Sequence, residues 1–198
     1  YTRPAFAGTE EISIANAHLA ATQCQGCEVA NCVADCPAGA DIPGFLRRMQ
    51  AQNYIGAARL LRERNPFAEA CGYLCAADER CQRHCYRRAF ARASVHIAEL
   101  ERWVCEAAGP EGWPKPDETR TVQPVAVVGT GVSGLSCAYY LALTGMVVDL
   151  YDELEQPGER LAQALEGELP RAALQRDLTG ILLPRVRFHG GQAVGRDL

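Results

Sequence analysis

Cysteine spacing is the chemically most informative feature of this 198-residue chain, because eight of its ten cysteines fall into two short runs. The first run, C-x2-C-x4-C-x3-C-P, and the second, C-x3-C-x5-C-x3-C, contain Cys24, Cys27, Cys32 and Cys36, and Cys71, Cys75, Cys81 and Cys85. Thiolates so close in sequence can surround a metal centre, and a proline after the fourth cysteine is typical of bacterial ferredoxins. Two groups of four therefore predict two 4Fe–4S clusters.

The spacing leaves the pairing of ligands with clusters open. Each run could hold its own cluster, or a fourth cysteine could bind the other cluster, as in ferredoxins with two clusters. Disulfides are a weaker interpretation, because secreted disulfide scaffolds are usually shorter and space their cysteines more widely. Structural zinc is also weaker, because zinc sites favour C-x2-C pairs. We expect thiolates bound to metal in a reducing cytoplasm.

A second motif indicates a dinucleotide fold. An apolar strand at 125–128 precedes Gly129-x-Gly131-x-x-Gly134, which opens a helix, and Asp152 follows near the end of the next strand. In such a fingerprint the glycines allow a tight turn, the approach of a pyrophosphate and close helix packing, while the acidic residue accepts a hydrogen bond from a ribose hydroxyl. The alternative is a scaffold that has kept the glycines and binds no nucleotide.

The elements that must position these residues divide the chain in two. Helical periodicity and caps predict a helical domain at 1–108, a linker rich in Gly and Pro at 109–123, and a partial Rossmann-like βαβ domain at 124–198. The predicted fold class is therefore α + α/β. Asp41 with Pro43, Asn53 and Ser94 are predicted to begin three of the helices.

Bulk properties exclude several functions. The net charge of −4 gives no basic field for nucleic acid, and no apolar run is long enough to span a bilayer. No signal peptide is expected before the cysteines.

In the helix after Asn53, three arginines are predicted to face outward: Arg59, Arg62 and Arg64.

The order of motifs resembles the N-terminal domain of glutamate synthase small subunits and dihydropyrimidine dehydrogenases. The resemblance covers residues 20–155 and includes Cys36-Pro37-x-Gly39-x-Asp41-Ile42-Pro43, Asn65-Pro66 and Cys71-Gly72. It implies crossed ligation: one cluster would be bound by Cys24, Cys27, Cys32 and Cys85. The other would be bound by Cys36, Cys75, Cys81 and a carboxylate, Glu101, which aligns with a Glu or Gln ligand of that family and lies close to the apolar face of its helix.

The resemblance also implies roles for the other candidates. Cys71, Cys105 and Cys137 would be non-ligating, and we expect all three to be small buried hydrophobes. Apart from the resemblance, a histidine can in principle replace a cysteine ligand, but we expect His84 to face solvent or to support a ligand. The first fingerprint would bind FAD, and in that family a second one, further along, binds NADPH. Here the glycine-rich stretch that follows the acidic residue in that family is altered at 158–163. The Rossmann-like half is also expected to leave an open sheet edge, so the chain would be a fragment, or a partner subunit would cover that edge.

Together these features predict an electron-transfer iron–sulfur flavoprotein, a subunit of a larger NAD(P)H-linked oxidoreductase complex. Electrons would pass between FAD and a partner through two 4Fe–4S clusters, and another subunit would supply the nicotinamide site or the terminal acceptor. The alternatives are an iron–sulfur adaptor of a hydrogenase, formate dehydrogenase or reductase complex, with the Rossmann half used for docking, and a zinc-bound interaction module. No general acid–base pair or nucleophile is evident in the sequence.

Overall fold

The computed structural model describes residues 11–117, 119 and 123–195 and divides the chain into two compact units, Tyr1–Trp113 and Pro114–Leu198. The first unit is helical and the second is built on a parallel sheet, which confirms the predicted fold class. The boundary between the units falls inside the segment predicted as a linker. In the described part of the chain, no helix combines the length and apolar character needed to cross a membrane.

The helical unit contains six α-helices and three short 3₁₀ segments among its described residues. The α-helices are α1 (Ala17–Ala21), α2 (Asn31–Ala34), α3 (Ile42–Gln50), α4 (Tyr54–Arg64), α5 (Ala68–Leu74) and α6 (Ile97–Ala108). The 3₁₀ segments are Ala77–Glu79, Tyr86–Phe90 and Gly109–Gly112. Its core is formed mainly by α3, α4 and α6, through fully buried side chains such as Phe45, Met49, Leu61, Leu100 and Val104.

Two of the predicted helix starts are confirmed and one is wrong. The side chains of Asp41 and Asn53 accept hydrogen bonds of 2.9 Å from the backbone N–H groups of Gly44 and Gly56, as N-caps do. Ser94 does not begin α6, which starts three residues later. The side-chain carbonyl of Gln82 accepts a 3.1 Å hydrogen bond from the Ala98 N–H, so a residue from the second cysteine run satisfies the first turn of α6.

Arg62 is the largest departure from the predicted pattern. It was expected to face solvent, yet only 1% of it is exposed. Its guanidinium donates to the carbonyls of Cys105 (2.9 Å) and Gly109 (3.3 Å) and lies 4.3 Å from the centre of the Trp113 ring. These carbonyls end α6, where the helix dipole favours a cation. Residues 109–113 therefore pack on the helical unit.

Arg59 also departs from the prediction, and only the third arginine of α4 behaves as expected. Arg59 is half-buried and donates to the Glu111 carbonyl at 3.0 Å. Arg64 is exposed. Two arginines of α4 therefore bind the segment that follows α6, which a helical-wheel argument based on α4 alone could not anticipate.

The second unit is a three-stranded parallel sheet in the order β1–β2–β3, with helices between the strands. Its elements are β1 (Val125–Val128), α7 (Val132–Leu143), β2 (Val148–Tyr151), α8 (Glu159–Ala164), α9 (Arg171–Ile181) and β3 (Val186–His189). Val125 pairs with Val148, which in turn pairs with Val186. The fully apolar β1, the crossover helix α7 and the parallel strand β2 form the predicted βαβ unit.

Candidate metal centres and nucleotide site

Four cysteines from both runs meet beside one cavity of about 30 Å³. Cys24 and Cys27 come from the loop after α1, Cys32 lies on α2, and Cys85 ends the second cysteine run. All four line this cavity, and Ile42, Pro43, Leu46, Val95 and Ile97 form its apolar side. Cys36, the fourth cysteine of the first run, does not line it. The fold therefore brings Cys85 to the first three cysteines of the other run.

The electrostatics of these thiols agree with that arrangement. Burial, followed by the charges of Cys24 and Cys85, raises the pKa of Cys32 to about 11. The pKa of Cys24 is raised by burial and by the charges of Cys27 and Cys85, against a backbone hydrogen bond at Gly26. Several thiolates close together in a buried site are unfavourable, because they lose hydration and repel one another, unless a cation lies among them. The donor set fits a cationic metal centre.

A second group forms around Glu101. The pKa of Cys81 is raised to about 12, first by burial and then by the charges of Glu101, Cys75 and Cys36. Burial, Glu101 and Cys36 likewise raise the pKa of Cys75, partly offset by Arg80. Three thiols and one carboxylate therefore lie within electrostatic reach of one another: Cys36 at the end of the first run, Cys75 and Cys81 in the second run, and Glu101 on α6. This set of anionic donors also suits a metal cluster.

Gly72 allows α5 and α6 to approach closely enough to form this group. A Cβ atom at Gly72 would lie 2.9 Å from the Ala98 carbonyl oxygen and 2.9 Å from both the N and Cβ atoms of Arg102. Cys75 follows α5 as its C-cap residue, and Glu101 lies on α6 between Ala98 and Arg102, the residues that contact Gly72. This packing role of Gly72 was not predicted from the sequence. The position of the glycine in the motif C-G-x-x-C was the one signal that could have indicated it.

Two contacts join the cysteine runs across the helical unit. His84 Nδ1 lies 2.5 Å from Asp35 Oδ2, so the residues before Cys85 and Cys36 are paired. The Arg87 guanidinium donates to the Gln23 carbonyl at 3.0 Å, next to Cys24. His84 is 50% exposed at its side chain, in agreement with a supporting or solvent-facing role. These long-range contacts hold the end of the second run against the first.

Within the described residues, no three Cys, His, Asp or Glu side chains converge on the position of a single metal ion. A zinc ion needs four donors at about 2.0–2.3 Å from one point. A 4Fe–4S cluster instead separates its thiolates by an inorganic core.

The three remaining cysteines differ from one another. Cys105 is fully buried, as expected of a small hydrophobe, and Cys71 is partly buried and accepts a 3.0 Å hydrogen bond from the Asn65 amide. Cys137 on α7 is exposed, so its predicted burial is wrong. The general tendency of lone cysteines to be buried fails at this position, which lies on an exposed part of α7.

The glycine turn after β1 has the geometry that its spacing predicts. Gly129 has φ +94°, a conformation that L side chains rarely adopt. A Cβ at Gly134 would lie 1.9 Å from the Gly129 carbonyl oxygen, whereas a Cβ at Gly131 would meet nothing within 4 Å. The turn is therefore closed where α7 packs on it and open at Gly131, where a pyrophosphate could approach the N-terminus of α7.

Asp152 already has hydrogen-bond partners within the chain. Its Oδ2 accepts from the N–H and the hydroxyl of Thr130, at 2.6 and 2.7 Å, and its Oδ1 accepts from the Leu154 N–H at 3.0 Å. Burial raises the pKa of Asp152, but these hydrogen bonds and the charge of Arg160 outweigh that effect and lower the pKa overall. A ribose hydroxyl would have to bind the remaining acceptor position on Oδ1. Sequence reasoning missed Thr130, which lies between two of the fingerprint glycines.

Comparison with known proteins matches both units. The family model described as dihydropyrimidine dehydrogenase domain II, 4Fe-4S cluster, covers residues 6–113, and an NAD(P)-binding Rossmann-like model covers 127–170. The chain is 28% identical over 180 residues to the small chain of NADPH glutamate synthase from Azospirillum brasilense (89% of this chain, 37% of that protein). It is 33% identical over 178 residues to the beta subunit of NADPH-Fe(3+) oxidoreductase from Geobacter sulfurreducens (85% and 25%). It is 30% identical over 181 residues to the NAD-dependent dihydropyrimidine dehydrogenase subunit PreT from Escherichia coli (90% and 43%). The chain spans less than half the length of each of these relatives.

Proposed function

Because the chain belongs to the dihydropyrimidine dehydrogenase domain II 4Fe-4S family, we propose that it is the electron-transfer part of an NAD(P)H-linked oxidoreductase. It would hold two 4Fe–4S clusters and FAD and connect a nicotinamide donor to a partner enzyme. Oxidoreductase subunits among its relatives support this role. We place the protein in the cytoplasm, where reduced thiols persist.

The observation that carries the proposal is the shared cavity of Cys24, Cys27, Cys32 and Cys85. It supports crossed ligation, with these four cysteines around the first cluster. The mutual electrostatic effects of Cys36, Cys75, Cys81 and Glu101 support a second cluster with one carboxylate ligand. A 4Fe–4S cluster supplies one-electron transfer, and ligand identity, burial and hydrogen bonds to sulfur set its potential. The chain provides the anionic donors and the apolar wall beside the first four cysteines.

FAD would bind at the turn after β1. The open space at Gly131 and the exposed start of α7 support a pyrophosphate site, with Gly129, Gly134 and Asp152 completing it. The chain's own residues would hold the dinucleotide through backbone N–H groups and the free position on the Asp152 carboxylate. The nicotinamide site would lie on another domain or subunit, as would the terminal acceptor.

Double variants test the crossed assignment by counting clusters. If Cys24 and Cys85 bind the same cluster, the variant Cys24→Ala/Cys85→Ala should keep about half of the wild-type iron and sulfide, since one cluster of two remains. The variant Cys24→Ala/Cys36→Ala should then lose both clusters. Ligation within each run predicts the opposite pattern. Cys71→Ala is the matched control, and we expect it to keep the full iron content.

A second candidate, the iron–sulfur adaptor whose Rossmann half serves only for docking, is favoured by one observation. Thr130 and Leu154 together occupy three of the roughly four acceptor positions of Asp152, the residue that would bind ribose. Flavin per chain in anaerobically purified protein separates the candidates. Near-stoichiometric FAD supports the flavoprotein, whereas protein with both clusters and no flavin after reconstitution with FAD supports the adaptor.

A further inference from the structure

The second cysteine run and the residues after it form a concentrated basic segment in an acidic protein. Residues 80–96 contain five arginines, two histidines and no Asp or Glu, whereas the whole chain has a net charge of −4. The exposed members of this segment include Arg83, Arg88 and Arg92. Among the described residues, two carboxylates lie within ion-pair distance of this segment, and both pair with histidines: Asp35 with His84 and Glu99 with His96.

Two large aromatic side chains lie in the same segment and face solvent. Tyr86 and Phe90, at the ends of one 3₁₀ segment, are 52% and 57% exposed. Their rings contact each other edge to face, with centroids 5.1 Å apart and planes at 74°. We call Arg83, Tyr86, Arg88, Phe90 and Arg92 the basic patch. Aromatic and arginine side chains together are the composition typical of protein interface centres.

The backbone beneath the basic patch is held in place. Arg87 donates to the Ala93 carbonyl at 2.7 Å and to the Gln23 carbonyl at 3.0 Å, so it joins both ends of the turn to the loop of Cys24. Ala91 has φ +51°, a left-handed conformation that is uncommon for alanine, and it reverses the chain after Phe90. A fixed surface loses little conformational entropy when a partner binds.

The basic patch lies beside the first group of thiols. Tyr86 follows Cys85 directly, and Tyr86 and Arg87 line the same cavity as Cys24, Cys27, Cys32 and Cys85. A protein bound at this patch would therefore lie next to that group. Short separation between redox centres is what an electron-transfer complex requires, and such complexes use small, charged contacts that form and dissociate quickly.

We propose that the basic patch is the docking surface for an acidic protein electron carrier of the ferredoxin type, and this inference rests on the proposed function. Charge complementarity selects the partner. The arginines of the basic patch, which form no ion pair with any carboxylate in the described part of the chain, attract an acidic surface, and Tyr86 and Phe90 supply the apolar contact at its centre. A nucleic acid fits less well, because the chain as a whole repels a long polyanion and the two rings cover part of each other.

The primary experiment measures binding of the full, cluster-loaded chain to an oxidised acidic two-cluster bacterial ferredoxin. Raising ionic strength from about 0.01 to 0.15 M shortens the Debye length from about 30 to 8 Å and should weaken binding at least about tenfold. At low salt, Arg88→Glu/Arg92→Glu should weaken it by at least about tenfold. The control Lys115→Glu/Arg171→Glu makes the same change in net charge on exposed residues of the second unit and should stay within about twofold of wild type.

A second variant separates apolar contact from charge. Tyr86→Ala/Phe90→Ala should weaken binding several-fold while leaving its salt dependence near that of wild type, because the arginines remain. If the charge-reversal variant loses iron, Arg88→Gln/Arg92→Gln takes its place. If either double variant loses iron, the salt dependence of wild-type binding still tests whether charge contributes to binding. Equal weakening by the control pair would overturn the proposal, because net charge and not the patch would then drive binding.

Further outcomes distinguish a failure of the docking surface from a failure of the proposed electron-transfer function on which it rests. Wild type that carries both clusters and does not bind the ferredoxin overturns the docking surface alone. Tighter binding of a single-stranded oligonucleotide than of the ferredoxin, lost in Arg88→Glu/Arg92→Glu, also overturns it in favour of nucleic acid. Protein that cannot hold iron and sulfide under anaerobic reconstitution overturns the proposed function itself.

Discussion

Replacing Gly72 by alanine should remove the second cluster while leaving the first. The added Cβ would lie 2.9 Å from backbone atoms of α6, whereas carbon contacts are favourable at about 3.5–4.0 Å. The helices would therefore have to separate by roughly 0.6–1 Å, at a cost typical of overpacking, about 1–3 kcal/mol. Metal–ligand distances tolerate about 0.2 Å. The separation moves Cys75 away from Glu101 by several times that tolerance.

The assay is iron and acid-labile sulfide per chain after anaerobic reconstitution, with electron paramagnetic resonance of the reduced protein to show which signal is lost. We expect Gly72→Ala to hold about half of the wild-type iron, since one of two clusters remains. Gly56→Ala is the control in a helix of the same unit, because the atoms nearest its added methyl group belong to the Asn53 side chain, which can turn away at the cost of one cap hydrogen bond. We expect it to keep full iron content.

Two results would refute this reasoning about Gly72. Full iron with unchanged spectra would mean that α5 and α6 can separate without disturbing the donors. Loss of both clusters together with loss of helical circular dichroism would mean that the clash unfolds the unit and does not act on one site. A selective loss that also appears in Glu101→Ala would link the effect to the carboxylate side of the second group.

Three other predictions concern contacts within the helical unit or within the second unit. Arg62→Met should lower the stability of the helical unit by about 2–4 kcal/mol in chemical denaturation, because two carbonyls at the end of α6 lose their donor; Arg64→Met, at an exposed position, should change it little. Gln82→Ala should increase amide hydrogen exchange at Ala98 in the first turn of α6, and unchanged exchange would argue against this long-range cap. The lowered pKa of Asp152 stabilises the folded second unit above the ordinary carboxyl pKa of about 3.9, and this stabilisation is lost as pH falls through the lower folded value. Exchange at the Thr130 amide should therefore show an acid-dependent opening that Asp152→Asn removes; the same pH profile in both proteins would contradict the assignment.

Local signals in the sequence were enough to predict the elements that carry the chemistry. The caps at Asp41 and Asn53 act within three residues, so short-range sequence contains all that they need. The apolar β1 and the glycine turn after it are likewise defined by neighbouring residues. Cysteine spacing alone predicted metal-binding thiolates, because donor type and proximity along the chain are local properties.

The tertiary structure decided which distant groups meet. The position of Cys85 beside Cys24, the cap from Gln82 to α6 and the burial of Arg62 all join residues 16 to 61 positions apart. Helical periodicity describes the face of a single helix and contains no information about which carbonyls a neighbouring helix leaves unsatisfied. The spacing of the two cysteine runs allowed two ligand pairings, and the resemblance to a family, not the spacing, favoured the crossed one. Packing of α5 on α6 at Gly72 brings Cys75 toward Glu101, and such an approach depends on the shapes of two surfaces, which only the folded chain determines.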